Sequence, residues 1–291
     1  MIHTLENDYV KITASNEGGE IYSITNKRSN RDILWNGRSF GWNMSAPTLF
    51  PIIGNVKSGK IKVDNKKYTL KQHGFANRYK HDLISKNDNE IKFELKYSED
   101  TLKSYPFKFL LETTYSIFEN EISITFNVKN IDDEDIYFSL GSHPCFFCPF
   151  NKEDDLNEYY LEFQCIEDAS IFEIDKNDLL TGNKINYLKN TSIIRLNNKT
   201  FSNGTLIFDH LKSKSVSLKS NIRDEEIKVE LGDFKYLALW APEETRPFIC
   251  IEPWFGHADY NKFKGEFKEK EGIIKLGRGK EHTMSYKIIL K

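Results

Sequence analysis

Cysteine and net charge are both scarce in this sequence of 291 residues, and each shortage excludes a class of protein. Four Cys are too few for a disulfide scaffold, so we expect a reducing, cytoplasmic environment. The 41 Lys and Arg residues nearly balance the 43 Asp and Glu residues, which gives a formal charge of -2. General nucleic-acid binding needs a basic surface that displaces counterions, so no nucleic-acid partner is expected.

Long apolar runs are also missing. No run approaches the roughly 20 apolar residues that a membrane-spanning helix needs, so no membrane partner is expected. Residues 1–8 lack the basic start and the apolar core of a signal peptide. Together these features favour a soluble cytoplasmic protein.

Aromatic residues, in contrast, are abundant, with 21 Phe, 14 Tyr and 4 Trp in the chain. Because aromatic side chains bury large areas, this composition excludes intrinsic disorder and indicates a packed globular core. Composition alone does not indicate a reaction or a ligand. Evidence for either has to come from the order of the residues.

Alternation of apolar and polar residues is the dominant pattern. It covers residues 107–117 and 122–128, with the polar pair Glu119 and Asn120 between the two runs. Such alternation places one set of side chains on a buried face, and two runs across a short polar turn predict a β-hairpin. Helical spacing is nearly absent, and only residues 176–188 weakly indicate a short helical turn.

Turn residues separate many short strands, and no stretch is long enough to be a linker. The chain has neither a low-complexity tract nor an internal repeat. The pattern predicts an all-β fold, a large sandwich or barrel, as a single domain over residues 1–291.

Two histidines interrupt this strand pattern. In His73-Gly74 the glycine leaves the imidazole little obstructed, although a loop histidine bonded to its own backbone is the commoner case. In His143-Pro144 the proline forces residue 143 into an extended conformation and so holds its imidazole in one direction.

Two carboxylates follow apolar runs. Glu252 ends a run that is typical of a buried strand, where an unpartnered carboxylate is costly. It is either paired structurally with Arg or Lys, or it is a general base whose pKa is raised by burial. Asp209 also ends an apolar run, and a turn at a strand end explains it at least as well as a function does.

The spacing of Cys145 and Cys148 is that of a redox or zinc motif, but its setting argues against both. A thioredoxin-like pair needs a βαβ context, and a zinc site needs a second pair of ligands. Cys165 and Cys250 stand alone in the sequence, although His143 is close. We therefore expect buried thiols and no metal site.

Taken in order, five short segments resemble motifs of the aldose 1-epimerase (galactose mutarotase) family, in particular its LacX-like branch. They are residues 19–24, the P-x-L-F-P-I-x-G segment 47–54, H-G-F-A at 73–76, G-x-H-P at 141–144 and I-E-P-W at 251–254. Each motif is weak alone, but five in the same order along essentially the whole chain are specific. The resemblance implies a large antiparallel β-supersandwich of the galactose mutarotase-like type.

The resemblance also implies an activity, the interconversion of the α and β anomers of a free hexose without a cofactor. In that mechanism Glu252 takes the proton of the anomeric hydroxyl while His143 protonates the ring oxygen. The ring opens, rotates about the C1–C2 bond and closes again. His73, the third catalytic residue, would bond a sugar oxygen and assist charge balance, and Asp209 looks like the family's hydroxyl-binding Asp. A histidine and a buried glutamate suit acid–base work near neutral pH.

Two departures from the family pattern concern substrate binding. Asn55 and Asn77 stand where relatives commonly carry Arg, and we expect Asn55 and Arg78 to contact the substrate. Arg78 could supply a guanidinium from one position later, but in a strand it would point to the other face. No Arg cluster is present to hold a phosphate, so the expected partner is a neutral monosaccharide.

Aromatic residues near the motifs suit a sugar site, because the C–H face of a sugar stacks on a ring. They are Trp42, Phe75, Phe146, Trp240 and Trp254. We expect Trp240 to contact the substrate, with packing in the core as the alternative for each ring.

Two other functions stay open at this point. A non-catalytic sugar-binding or sugar-sensing protein of the same fold would bind without turnover, and Asn55 in place of Arg favours it. A glycoside hydrolase or lyase would need two carboxylates flanking one bond, which Glu252 and Asp209 could supply. Neither the identity of the sugar nor the oligomeric state can be predicted from the sequence.

Overall fold

Strands dominate the computed structural model, which describes residues 1–36, 43–242 and 247–291. The first four strands form a separate antiparallel sheet and are neighbours in chain order. They are β1 (Ile2–Glu6), β2 (Val10–Ser15), β3 (Ile21–Asn26) and β4 (Arg31–Asp32).

The remaining strands occupy most of the chain. They begin with β5 (Thr48–Leu49), β6 (Lys60–Val63), β7 (Lys66–Thr69), β8 (Asp82–Lys86), β9 (Glu90–Lys96), β10 (Phe109–Phe118), β11 (Glu121–Asn130), β12 (Ile136–Phe138), β13 (Leu140–Ser142) and β14 (Cys145–Phe147). They continue with β15 (Tyr159–Ile174), β16 (Leu180–Arg195), β17 (Leu206–Asp209), β18 (Ser215–Ser220), β19 (Glu226–Glu230), β20 (Tyr236–Trp240), β21 (Phe248–Phe255), β22 (Ile274–Leu276) and β23 (Glu281–Leu290).

Helical structure in the described ranges is confined to single turns. They are the α-helix α1 (Glu99–Leu102) and the 3-10 turns Lys57–Gly59, Ala76–Arg78, Leu156–Glu158 and Phe267–Glu269. None of these helices is long and apolar enough to cross a membrane.

One 15-stranded antiparallel sheet organises the molecule. Its order is β5-β13-β21-β20-β17-β15-β18-β19-β23-β11-β10-β9-β8, with β14 also paired to β21 and β16 to β15. Strands β12 and β22 form a two-stranded ribbon, as do β6 and β7. The expected all-β class with large antiparallel sheets is confirmed, while the single domain over residues 1–291 stays a prediction.

The hairpin expected over residues 107–128 is confirmed. Strands β10 and β11 pair from Phe118 opposite Glu121 onward, and Glu119 in the turn has a positive φ of 50°. The alternating apolar side chains of both strands are buried. They belong to an apolar core that extends from Leu5 to Leu290.

The helical turn indicated for residues 176–188 is wrong. A tight turn follows β15, and β16 begins at Leu180 and pairs back along β15, with Ile185 opposite Ile171 and Leu188 opposite Ala169. Pairing with a long neighbouring strand outweighs a weak local helical preference.

Strand β21, near one end of the large sheet, has both β13 and β14 as neighbours on one side. Gly141 of β13 lies opposite Trp254, and Cys145 of β14 lies opposite Cys250. The register of the two short strands on β21 is therefore the same, although two residues separate them along the chain. A Cβ at Gly141 would lie 2.9 Å from Trp254 Cδ1, so any residue larger than glycine would clash with this ring.

Candidate active site

Glu252 and His143 face each other across neighbouring strands. Glu252 lies in β21, whose side chains are buried along nearly the whole strand, and His143 lies in the gap between β13 and β14. Because the register is unchanged across that gap, His143 falls opposite Glu252, one step along the same face from the pair Cys145 and Cys250. Cross-strand neighbours of this kind point to one side of the sheet and touch.

The two side chains are in contact. Nε2 of His143 lies 3.2 Å from Oε2 of Glu252, and the side chains are 6% and 1% exposed. Apart from this contact, the described residues provide no well-aligned hydrogen bond to either carboxylate oxygen. A buried carboxylate with so few partners is costly, which is typical of a group kept for chemistry.

Burial moves the pKa values of the two groups in opposite directions. It raises the pKa of Glu252 well above its usual range, and the neighbouring Trp254 opposes this shift. Burial, assisted by the nearby His73, lowers the pKa of His143 well below its usual range. These opposite shifts favour a state in which the pair shares one dissociable proton between two atoms that are in contact.

A cavity of about 310 Å³ opens over this pair. Its polar lining consists of Gln72, His73, His143, Asp178, Thr205 and Glu252. Its apolar lining consists of Gly54, Ile174, Ile207, Trp240, Trp254 and Ala258. This volume and this mixture of flat apolar faces with a few polar groups suit a small, uncharged ligand.

His73 reaches the cavity from a loop above the sheet. The residue has a positive φ of 62°, and a Cβ on the following Gly74 would lie 2.2 Å from the carbonyl oxygen of Phe50. The backbone N–H of Gly54 donates to Nδ1 of His73 at 3.2 Å, so in the neutral ring Nε2 carries the proton. The H-G sequence is therefore required by the loop as well as by the site.

Two effects keep His73 uncharged. Burial, and after it the charge of the nearby Arg78, lower the pKa of His73 to about 4. Its ring centroid lies 5.6 Å from that of His143. The site therefore holds a neutral imidazole donor beside the acid–base pair.

Tryptophans provide the flat faces of the cavity. Trp240 lies opposite Cys250 on the neighbouring strand β20, and its ring centroid is 6.1 Å from that of His143. Trp254 lies 6.2 Å from the ring of His73. Phe75 and Phe146 are buried in the main core instead, and Trp42 lies outside the described residues.

The structure does not bring Asp209 to the cavity wall. On β17, Ile207 occupies the row that leads through Ala238 to Glu252, and Asp209 lies one row further along, opposite Tyr236. Its Oδ2 is 2.5 Å from Nζ of Lys184. The expected binding of a sugar hydroxyl by Asp209 stays a prediction.

Asn55 and Arg78 contact the backbone of the loops around the cavity, and neither is part of its described lining. The guanidinium of Arg78 donates to the carbonyl oxygens of Gly74 and, at 3.3 Å, of Gln72. The strand considered for Arg78 is wrong, because residues 76–78 form a 3-10 turn that folds its side chain back onto the His73 loop. Nδ2 of Asn55 donates to the carbonyl oxygen of Asn177 at 3.2 Å. Direct substrate contact by either residue stays a prediction.

Sequence reasoning missed three polar residues of the lining, Gln72, Asp178 and Thr205. Gln72 directly precedes His73 and could have been included with the H-G motif. Asp178 belongs to the turn between β15 and β16, and Thr205 precedes β17. No local signal reveals that this turn lies over a strand more than 70 residues later in the chain.

Cys145 contacts Cys250 rather than Cys148. The two sulfurs are 2.9 Å apart, and a ring nitrogen of His143 lies within 4.8 Å of both. Cys145 and Cys148 are both buried, as expected. These three atoms are a possible ligand set for a soft metal ion, but two thiolates on a tetrahedral zinc ion are about 3.8 Å apart, because each Zn–S bond is about 2.3 Å.

Known proteins are similar to this chain in both sequence and fold. The family model for aldose 1-epimerase matches residues 1–275. The chromosomal protein LacX of Lactococcus lactis subsp. lactis is 31% identical over 264 residues, which cover 87% of each chain.

Two solved structures superpose over the whole chain. A galactose mutarotase related enzyme from Lactobacillus acidophilus has a TM-score of 0.94 and 29% identity, with 100% of this chain and 97% of that one covered. A galactose mutarotase-like protein from Lactobacillus casei ATCC 334 has a TM-score of 0.94 and 28% identity, with 100% of both chains covered. The fold is therefore the expected galactose mutarotase-like β-supersandwich, and the chain belongs to the aldose 1-epimerase family.

Proposed function

We propose that the protein interconverts the α and β anomers of a free, neutral monosaccharide by general acid–base ring opening. The observation that carries this proposal is the 3.2 Å contact between Nε2 of His143 and Oε2 of Glu252 at the wall of a monosaccharide-sized cavity. Family membership and the mutarotase-like names of the similar structures support it.

The reaction needs one proton to move between two oxygens of one sugar. Glu252 takes the proton of the anomeric hydroxyl, and His143 gives a proton to the ring oxygen, which opens the ring. After rotation about C1–C2 the reverse transfers close it. The pair ends each cycle with the number of protons with which it began, so the enzyme needs no external acid or base.

The remaining polar groups position the sugar. His73 offers Nε2–H as a neutral donor, because its Nδ1 already accepts from Gly54. Trp240 and Trp254 offer ring faces for the C–H side of the sugar. The described lining contains no Lys or Arg, which favours an uncharged substrate.

Anomer exchange measured by NMR saturation transfer or polarimetry, over a panel of free sugars, tests the proposal. We expect Glu252→Gln to lower kcat about 100- to 10,000-fold, the usual contribution of a positioned base. Glu94→Gln, the same change far along the sheet in β9, is the matched control and should keep full activity. Wild-type exchange no faster than in buffer for every sugar, or an unchanged rate in Glu252→Gln, would refute the assignment.

A non-catalytic sugar-binding protein is the second candidate, favoured by the engagement of Asn55 with the backbone of Asn177. It predicts calorimetric binding of a sugar with no acceleration of anomer exchange. A hydrolase would instead release reducing ends from an oligosaccharide, using Glu252 with Asp178, the second carboxylate of the lining. The same sugar panel, extended to disaccharides, separates the three functions.

A further inference from the structure

A pair of buried thiols lies directly behind His143. Sγ of Cys145 is 3.6 Å from Nδ1 of His143 and 3.4 Å from its carbonyl oxygen. Sγ of Cys250 is 2.9 Å from Sγ of Cys145. Both cysteines are fully buried, so neither thiol is placed to react with solutes. The functional group that they adjoin is the imidazole of His143.

The group at the second ring nitrogen decides which nitrogen of a neutral histidine carries the proton. A carboxylate or a carbonyl, the partners that functional histidines usually have, can only accept, and so draws the proton to Nδ1. A thiol can also donate. If Cys145 donates to Nδ1, the proton of the neutral ring lies on Nε2, the nitrogen that faces Glu252.

We propose that the Cys145 thiol, supported by Cys250, positions His143 and places its ring proton on Nε2, towards Glu252 and the cavity. The catalytic consequence of this inference rests on the proposed anomer interconversion. The placement of the proton does not rest on it, and can be tested in the free protein.

The same thiol fits the protonated ring as well. When His143 carries a second proton, Nδ1–H donates to Sγ of Cys145, and the thiol hydrogen turns to the carbonyl oxygen of His143, 3.4 Å away. An anionic partner at this position would stabilise the imidazolium and hold its proton. The uncharged thiol keeps the ring oriented in both states, so His143 can release a proton to a sugar oxygen.

A metal ion is the rival explanation of this cluster. Zinc would bind Nδ1 of His143 and both sulfurs, and would require each thiol to lose its proton. The sulfurs, at 2.9 Å, are closer than the separation of about 3.8 Å that zinc imposes. Burial also raises the pKa of Cys250 well above its usual range, which favours the thiol. The short separation therefore argues against a zinc ion between the two sulfurs, and the raised pKa argues against two thiolates.

Long-range ¹H–¹⁵N NMR of the imidazoles in the wild-type protein tests the tautomer directly. We expect the pattern of an Nε2–H ring for His143, assigned by its loss in His143→Gln. Cys145→Ala should move this pattern towards Nδ1–H or a mixture, and Cys145→Ser, which keeps a donor, should restore it. Cys148→Ala, which removes another buried thiol that does not contact His143, is the matched control and should leave the spectrum of His143 unchanged.

Kinetics give the second measurement. We expect Cys145→Ala to lower kcat about 10- to 100-fold with KM within about twofold, because the acid is misplaced while the sugar contacts remain. Cys145→Ser should recover most of kcat, and Cys148→Ala should retain it. If Cys145→Ala does not fold, Cys145→Val fills the same space without a donor and replaces it.

Three results would overturn the inference. They are an Nδ1–H pattern in the wild-type protein, a pattern unaffected by loss of the thiol, and an activity that a metal chelator changes. A wild-type protein that turns over no sugar would refute the proposed function instead. The NMR comparison would still decide the role of the thiol, so the two failures are distinguishable.

Discussion

Nε2 of His143 and Oε2 of Glu252 lie 3.2 Å apart because the two residues occupy opposite positions on neighbouring antiparallel strands. The next pair along the same face is Cys145 and Cys250. Two consecutive cross-strand pairs thus place the acid–base pair and the thiols behind it. The strand β21 contributes one member of each pair, so its register controls the whole arrangement.

The pH dependence of activity should reflect the opposite pKa shifts of this pair. His143, with its lowered pKa, takes a second proton only well below the usual histidine range, so the acid limb should lie below that range as well. Glu252, with its raised pKa, gives up its proton only above the usual glutamate range, so the alkaline limb should be displaced upward as well. Values of log kcat/KM from pH 4 to pH 9 give both limbs.

In Glu252→Gln only His143 holds a dissociable proton, so the residual activity should lose the acid limb and should decline as the pH rises through the lowered pKa of His143. A wild-type profile that declines on the alkaline side already between pH 4 and 5 would contradict the burial-raised pKa of Glu252.

The same carboxylate should cost the protein stability at neutral pH. The pKa of Glu252 is higher in the folded than in the unfolded chain, so the folded state binds more protons above pH 4.5. The free energy of unfolding therefore falls as the pH rises from 4.5 through the raised pKa. Glu252→Gln removes this loss, and its melting temperature should exceed that of the wild type by a margin that grows with pH.

Differential scanning calorimetry at pH 4, 6 and 8 measures this margin. Glu94→Gln, which replaces a carboxylate far along the sheet, should show no such trend. A Glu252→Gln protein that melts below the wild type at pH 8 would mean that the carboxylate is stabilised by a partner and is not strained by burial.

The strands of this fold can be predicted from the sequence, whereas the contacts of its loops cannot. Alternation predicts the β10–β11 hairpin correctly, because each strand has one buried and one exposed face. The apolar run before Glu252 likewise indicates the buried strand β21. The burial of one or both faces of a strand produces these local patterns directly, so strands can be predicted from them.

Contacts between distant segments have no such local signal. The C-x-x-C spacing directs attention to Cys148, but residues three apart in an extended segment point to opposite faces, whereas Cys250 lies directly opposite Cys145 on β21. Residues 180–188 form the first half of β16 only because β15 is there to pair with them. Motif position makes Arg78 and Asn55 candidate sugar ligands, although their described contacts are with loop backbone.

Arg78 should act on the reaction by holding the His73 loop. Its guanidinium bridges the carbonyls of Gln72 and Gly74, on either side of His73, and its charge helps to lower the pKa of that histidine. Arg78→Ala should lower kcat about tenfold through the misplaced imidazole, with a smaller change in KM, and should raise the pKa of His73. Steady-state kinetics and an NMR titration of the ring measure both effects.

Arg28→Ala, at a largely exposed arginine in the turn between β3 and β4, is the control and should change neither quantity. If Arg78 instead binds the sugar directly, its loss should raise KM several-fold and leave kcat constant. The pKa of His73 would rise in this case as well, because the charge of Arg78 is removed.

The substrate should be uncharged, because the described lining of the cavity offers a phosphate no counter-charge. Its described lining contains the carboxylates Asp178 and Glu252 and neither Lys nor Arg. A dianion placed there would lose its hydration without gaining an ion pair, and it would lie near a carboxylate. We expect hexose 6-phosphates to be at least about 100-fold poorer substrates by kcat/KM than the free hexoses, a difference of about 2.7 kcal/mol. The 6-O-methyl hexoses, which add bulk at the same position without charge, separate size from charge and should be turned over closer to the rate of the free sugars. Equal kcat/KM for a hexose and its 6-phosphate would show that a cation reaches the bound sugar and that the neutral-substrate assignment is wrong.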